Sequence, residues 1–334
     1  MSCRLINFEE ALIFFKRLPD YFKVPTLSPC FLLADSFRGS FYNPTFWLYE
    51  RHEDFALRAF HIVETKLSSK LTVKDIESAY GYGGVVSSTT DECFLSDAYE
   101  EYKRWATGEG VLLEFFRIHP LLGSQRNSFE QISFNRAVVC INLRKDFFSN
   151  YSSRKRTYLR KEKNKDTKLF ASKTNISDFI ELYRKTMLRL GADQEYYFSR
   201  MYFEKMLMCE NANIWFLMYS GVLSAAVLIF AHPSSGIVEY HLGGYLQNGQ
   251  DRPIELLLHL VAERYAESGY SKFYIGGGRS EQPDDSLLRF KKSFSKETLD
   301  FNIGFSIFDS AKYELIKKYH SNSKLGNRVI FYRN

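Results

Sequence analysis

Residues 214–231 read Ile214-Trp-Phe-Leu-Met-Tyr-Ser-Gly-Val-Leu-Ser-Ala-Ala-Val-Leu-Ile-Phe-Ala231, 18 residues without a formal charge. That length is at the lower limit for a helix crossing a bilayer, so the stretch is either a membrane segment or buried sheet. Tyr219-Ser220-Gly221 decides between them, because it interrupts the run with a turn signal, and each half is rich in β-formers. The sequence therefore predicts two buried strands joined by a hairpin, with a sheet at the centre of the fold.

Working outward, the hairpin is preceded by a strand around Lys168 to Ala171 and helices Ile176 to Leu190 and Tyr196 to Cys209. It is followed by a strand Gly236 to Gly243, a helix Pro253 to Ser268, a strand Lys272 to Ile275 and a short helix Ser286 to Phe294. Nearer the N-terminus the pattern predicts helices Phe8 to Phe22 and Leu95 to Thr107, with strands Phe46 to Tyr49, Phe55 to Val63, Gly110 to Ile118 and Ala137 to Leu143. A last helix is expected from Ser310 to Tyr319.

The chain has 334 residues, enough for one large or two ordinary domains. Its five cysteines are scattered and never form a C-x-x-C pair, which points to a reduced, cytosolic protein and away from a disulfide scaffold or zinc module. The N-terminal residues hold no apolar core of signal-peptide length. Neither metal-ligand spacing of the histidines nor a G-x-S-x-G elbow is present, so a direct, metal-free reaction is expected. The formal net charge of +6 comes entirely from residues 154–168, which hold eight Lys or Arg and two acidic residues. That segment can meet tRNA phosphates, a nucleotide diphosphate or an anionic membrane surface, or it is a solvated charged helix.

The helix Ser286-Leu-Leu-Arg-Phe-Lys-Lys-Ser-Phe294 carries the sharpest signal. At about 100° per residue, Leu287, Leu288, Phe290 and Phe294 share one face, Lys291 falls inside it and Arg289 points away. An ammonium aimed at apolar surface needs an anionic partner, a developing oxyanion or a route for its head to water. Just before this helix, Gly276-Gly-Gly278 closes a strand, where glycines allow backbone N–H groups to form an anion-binding concavity with Arg279 beside it. A flexible strand-to-helix turn is the alternative. On strand 236–243, Glu239 and His241 alternate to one face and Tyr240 to the other, so His241 is a candidate general base, or half of a structural pair. Arg117 and His119 also share a strand face, as an anion-binding pair or an unrelated surface pair.

Tyr80-Gly-Tyr-Gly-Gly84, Glu114-Phe-Phe-Arg-Ile-His-Pro-Leu121, the basic helix beginning near Arg154, Tyr240-His-Leu-Gly-Gly-Tyr245 and Leu288-Arg-Phe-Lys-Lys-Ser-Phe294 occur in an order that resembles the FemABX-like branch of the GNAT superfamily. The resemblance spans about residues 40–300 and implies an α/β (α+β) fold of two tandem GNAT-like domains with mixed, mostly antiparallel sheets. The first is expected over residues 1–150, joined by 312–334, and the second, catalytic one over 151–311. In such proteins the pair matched by Phe290 and Lys291 lies at the acyl-transfer centre, where the lysine is thought to stabilise negative charge. The resemblance also places Tyr80 and Tyr82 near Arg117 and His119 as an acceptor cleft, with Arg154 beside it. It implies acyl-CoA or aminoacyl-tRNA as co-substrate, with no permanently bound cofactor. The acceptor would be an amine or hydroxyl of a nucleotide-sugar or lipid-linked glycan precursor, modified in the cytoplasm or at the inner membrane surface. Donor phosphates would lie on Gly276 to Arg279 and the helix start at Pro253. The turn Gln247-Asn-Gly-Gln-Asp-Arg252 departs from the acetyl-CoA signature, and no long helical-hairpin insertion of tRNA-dependent members is present. A non-catalytic protein holding RNA or glycan is the rival from another class.

Overall fold

Ser220 and Gly221, with φ of 45° and 78°, make the two-residue turn that joins strands Ala212–Tyr219 and Val222–His232. Positive φ at both central residues matches the right-handed twist of a hairpin, so the uncharged stretch is sheet as expected. No described helix is long and apolar enough to cross a membrane. The computed structural model describes residues 2–123, 125–144, 146–163, 165–247, 252–280, 282, 284–319 and 328–333.

From the N-terminus the elements are β1 (Ser2–Ile6), α1 (Phe8–Arg17), α2 (Pro29–Asp35), β2 (Asn43–Arg51), β3 (Asp54–Lys66), β4 (Thr72–Glu77), β5 (Val85–Ser87), α3 (Glu92–Gly108) and β6 (Val111–Ile118). Next come β7 (Gln131–Asn142), α4 (Ser153–Lys163), β8 (Thr167–Ser172), α5 (Ile176–Arg189), α6 (Arg200–Met208), β9 (Ala212–Tyr219) and β10 (Val222–His232). β11 (Ile237–Tyr245), α7 (Pro253–Glu267), β12 (Lys272–Gly277), α8 (Ser286–Lys292), β13 (Thr298–Ile307) and α9 (Ser310–Tyr319) follow. The chain divides into two compact units, residues 1–135 with 301–334, and residues 136–300. These limits differ from the expected 150 and 312. The earlier crossing follows from pairing: Val138 to Asn142 of β7 are bonded to β12, so that part of β7 belongs to the second unit.

In the first unit the strands run in the order β1-β2-β3-β4-β6-β13, with β5 added to β3. All of these pairs are antiparallel except β4 with β6. α3 packs Phe94 and Tyr102 onto Trp47, Tyr49, Phe60 and Phe116 of the sheet. α1 opens on a capping box, in which the Asn7 side chain accepts from the Glu10 N–H and Glu10 reaches back. It ends at Arg17, short of the expected Phe22, because Pro19 disfavours helical geometry at Leu18. Arg58 and Glu114, both buried, pair at 3.2 Å, and Ser306 of β13 donates to the same carboxylate at 2.7 Å.

The second unit orders its strands β7-β12-β11-β10-β9-β8, parallel only between β11 and β12. α7 begins at Pro253, whose missing N–H costs nothing at a first helical position. Leu256, Leu257, Val261 and Ala262 of α7 pack against Val227, Ile229, Val238 and Phe273 on one face of these strands. α5 and α6 pack together through Phe179, Tyr183, Tyr202 and Phe203, and contact β9, β10 and β11.

Candidate functional site

The second unit opens a notch in its own sheet. Parallel strands β11 and β12 pair only over Ile237 with Lys272, Val238 with Phe273 and Glu239 with Tyr274. Beyond that point β11 stays with β10 and β12 stays with β7. Each strand carries an extra residue where they part: His241 has no partner between Leu228 and Ile229 of β10, and Ile275 none between Val139 and Cys140 of β7. Such bulges bend a strand and raise its twist, which accounts for the divergence.

α8 projects Lys291 to this notch. Its N-cap Asp285 accepts the Leu288 N–H at 2.8 Å, and Leu288, Lys291 and Phe294 are buried while Arg289 is exposed, as the helix face predicts. The Lys291 ammonium lies 5.7 Å from the centre of the Tyr240 ring. Among the described residues it makes no hydrogen bond or ion pair. Burial pushes its pKa down to about 7; Asp285 works against the shift and Arg136 with it. Burial raises the Tyr240 phenol, which therefore stays neutral beside it.

Glu239 and His241 do not join Lys291. Glu239 pairs across the strand with Phe230, and the His241 ring lies edge-on to Phe230 at 5.5 Å and shares a hydrogen bond of 2.9 Å with the Tyr202 hydroxyl on α6. Tyr240 packs on the opposite face with the α7 core, where Lys291 is found. His241 is thus held by α6 across the sheet from the lysine, which corrects its assignment as base for a reaction at Lys291.

The glycine concavity is already filled. The Asp285 carboxylate accepts the N–H groups of Arg279 at 3.1 Å and Ser280 at 3.2 Å. Although burial opposes it, these N–H groups and that of Leu288 hold the Asp285 carboxyl below its usual range. A Cβ at Gly278 would stand 2.4 Å from an Asp285 oxygen, so this glycine serves the aspartate, not a ligand phosphate. Gly276 has a φ of 76°, a geometry only glycine adopts freely, and Gly277 meets Val138 of β7. The Arg279 side chain is exposed.

The start of α7 is likewise occupied. Glu255 in its first turn is buried and pairs with buried Lys155 of α4, and the Arg252 N–H donates to the Tyr158 hydroxyl at 2.9 Å. The acidic first turn already complements the helix dipole. Residues 248–251, part of the turn that departs from the acetyl-CoA signature, lie outside the described residues.

In the first unit, Tyr82 and His119 do meet, edge to face at 5.0 Å. His119 is fully buried, and its Nδ1 accepts the Leu121 N–H at 3.1 Å. Arg117 stacks on Phe115 at 5.3 Å, and Tyr80 donates its N–H to Asp35 at 3.0 Å. The recess beside Tyr82 holds only about 10 Å3, too little for more than a single water. Tyr82 is thus packed against His119, and Arg117 against Phe115.

Of the cations in the basic segment only Lys155 is buried, and several of the others bond within the chain. Lys155 pairs with Glu255, Arg156 bonds the Ser149 and Tyr151 carbonyls, Lys163 binds Glu263, and Lys165 binds Glu162. Arg154, Lys161 and Lys168 are exposed. The site residues that the sequence did not single out are Tyr240, Asp285, Arg136 and Lys155. Asp285 was detectable as an Asp preceding a predicted helix. Lys155 was detectable by the criterion that flagged Lys291, since it shares a helix face with Leu159.

Each unit is thus a mixed, mostly antiparallel sheet with a parallel strand pair, the architecture expected of tandem GNAT-like domains. No family model and no curated protein matches the sequence. Among solved structures, FemX superposes with a TM-score of 0.71 over 95% of this chain and 100% of that one, at 13% identity. L-PGS from Bacillus licheniformis gives a TM-score of 0.58 at 14% identity, covering 85% of this chain and 90% of that one. The C-terminal domain of a putative lysylphosphatidylglycerol synthetase from Agrobacterium fabrum gives 0.55 at 12% identity, over 92% and 94%. The likeness is one of fold, and it is the fold that the FemABX-like resemblance implied.

Proposed function

We propose that this chain is an acyltransferase that moves an aminoacyl group from an aminoacyl-tRNA donor to an amine or hydroxyl of a nucleotide- or lipid-linked cell-envelope precursor, on the cytoplasmic side. The observation that carries the reading is Lys291, buried at the notch between β11 and β12 with no hydrogen-bond or ion partner among the described residues. The acceptor atom attacks the donor's ester carbonyl, and the carbonyl electron pair moves to oxygen. Lys291 donates an N–H to that oxyanion, with Phe290 as an apolar wall. Collapse restores the carbonyl and expels the ribose oxygen of the donor, which takes up the proton released by the acceptor. The developing negative charge favours the ammonium form of a lysine whose pKa is held near 7. A preorganised donor of this kind lowers such a barrier by about 3 to 4 kcal/mol.

The choice of donor rests on the two places proposed for donor phosphates. Asp285 occupies the first and Glu255 the second, each with its own carboxylate. This supports a donor that brings no diphosphate to them, unlike acyl-CoA. The exposed Arg154, Lys161 and Lys168 would face tRNA phosphates. The fold likeness to a putative lysylphosphatidylglycerol synthetase fits a lipid-linked acceptor.

The test is to incubate the purified protein with charged tRNA or acetyl-CoA and candidate precursors, with mass spectrometry of the products. Transfer from charged tRNA and a loss of about a hundredfold in Lys291→Met are expected. Wild-type turnover in folded Lys291→Met overturns the site, and transfer from acetyl-CoA alone overturns the donor. Tight RNA retention without any transfer instead establishes the binding-protein alternative.

A further inference from the structure

α8 has seven residues, too few to hold a helical position without tertiary contacts. Besides β12 and its own N-cap, α4 helps to hold it. The buried Lys155 ammonium lies 4.9 Å from the centre of the Phe290 ring and 4.4 Å from that of Phe294, while it pairs with Glu255 of α7. Phe290 is the neighbour of Lys291, and Phe294 closes the same helix face. Two further bonds run the same way. The Ser152 N–H, just before α4, donates to the Ser293 carbonyl at the end of α8 at 2.9 Å, and Tyr158 accepts the Arg252 N–H at the start of α7. α4 is therefore a bracket that grips the first turn of α7 and the apolar face of α8 together.

We propose that Lys155 is a positioning residue for acyl transfer: its ammonium, clamped between Glu255 and the rings of Phe290 and Phe294, sets the position of α8 and so of Lys291. The cation suits the task because a ring face attracts it strongly only where water is excluded, and Glu255 supplies the counter-charge that keeps it protonated. Burial lowers its pKa to about 8, and Glu255 opposes that shift. A lysine in the basic segment thus organises the site from inside the protein, separate from the exposed cations available to a nucleic acid.

The inference rests on Lys291 being the reactive group, so the test reads Lys291 directly as well as turnover. In the full chain, the pH dependence of Lys291 modification by an amine-selective reagent, measured by mass spectrometry, gives its titration midpoint. The groups that set this midpoint are Asp285 before α8, Arg136 of β7 and Tyr240 of β11. In Lys155→Met, water is expected to reach a loosened α8. The midpoint then rises by about one pH unit or more and transfer falls about tenfold. Lys155→Arg, which can still pair with Glu255 and stack on both rings, is expected to restore both. Should Lys155→Met not fold, Phe294→Leu removes one ring while keeping apolar bulk, and the same upward shift is expected to a smaller extent. An unmoved midpoint in folded Lys155→Met, or in Phe294→Leu where that variant takes its place, overturns the proposal. If Lys291→Met keeps its turnover while Lys155→Met still moves the midpoint, the catalytic reading fails and the clamp stands.

Discussion

The two units solve the same geometric problem in opposite ways. Each contains one parallel strand pair inside an otherwise antiparallel order, β4 with β6 and β11 with β12. In the first unit the chain fills the space beyond the pair: Ser78 donates its N–H to Phe115 and Gly83 its N–H to Arg117, while His119 donates back to Gly83. In the second, nothing bridges β11 to β12 beyond Tyr274 among the described residues. The charges follow the same division. Arg58 is buried against Glu114 and the Tyr102 ring, whereas Lys291 is buried with no ion partner among the described residues. A buried cation paired by its own chain is structural, and one left unpaired at an open notch is available to a ligand.

The comparison is most exposed to failure in the first unit. Arg58→Met leaves the fully buried Glu114, whose carboxyl burial already raises, without its counter-charge. A loss of about 3 to 5 kcal/mol in urea unfolding is expected. A change below about 1 kcal/mol would mean that this pair does not hold the unit together.

The matching substitution in the second unit has the opposite sign. Lys291 has a folded pKa near 7, below the ordinary lysine value of 10.5. Between these values the unfolded chain binds more protons than the folded one, so this residue's contribution to stability rises with pH across that window. Below it, the full cost of burying the ammonium is present. Lys291→Met is therefore expected to be more stable than wild type by on the order of a few kcal/mol at pH 6, with the gap closing toward pH 10. Lys155 titrates in part of the same window but is present in both proteins, so it cancels in the difference. A destabilised Lys291→Met would place this lysine with Arg58 among the structural cations.

The division between legible and illegible features is physical. The hairpin and α7 declared themselves through Ser220-Gly221 and Pro253, and Lys291 through its helix face, because each signal is local in the chain. β4 was missed because Thr72–Glu77 carries Lys74, Asp75 and Glu77, two of them buried by partners distant in sequence: Arg38 bonds Glu77, and Tyr332 bonds Asp75. Alternation cannot signal a strand whose inward residues are charged. The error over His241 has a different origin. Two-residue alternation relates neighbours on one strand, but gives no information about the side of the sheet to which a later helix returns. Of the acceptor residues, Tyr82 and His119 touch, yet whether a corner is open or packed depends on volumes that no motif encodes.

The smallest expected effect separates charge from position within the open notch. Asp285 acts on Lys291 as a nearby negative charge and on α8 as its N-cap. Asp285→Asn keeps an oxygen able to accept the Leu288 N–H, so the cap largely survives, while the charge is removed. Arg136 then acts on Lys291 unopposed, and both changes disfavour the ammonium. Asp285 is partly exposed, so solvent screens its effect, and the shift in the Lys291 midpoint should be under about one unit, downward. Because transfer requires the protonated lysine, the alkaline limb of the pH–rate profile should move down by the same amount, with turnover at pH 6 little changed. An acid limb that moves down instead, with the alkaline limb unmoved, would mean that Lys291 works in its neutral form, as a base, and would reverse the role assigned to it in the notch.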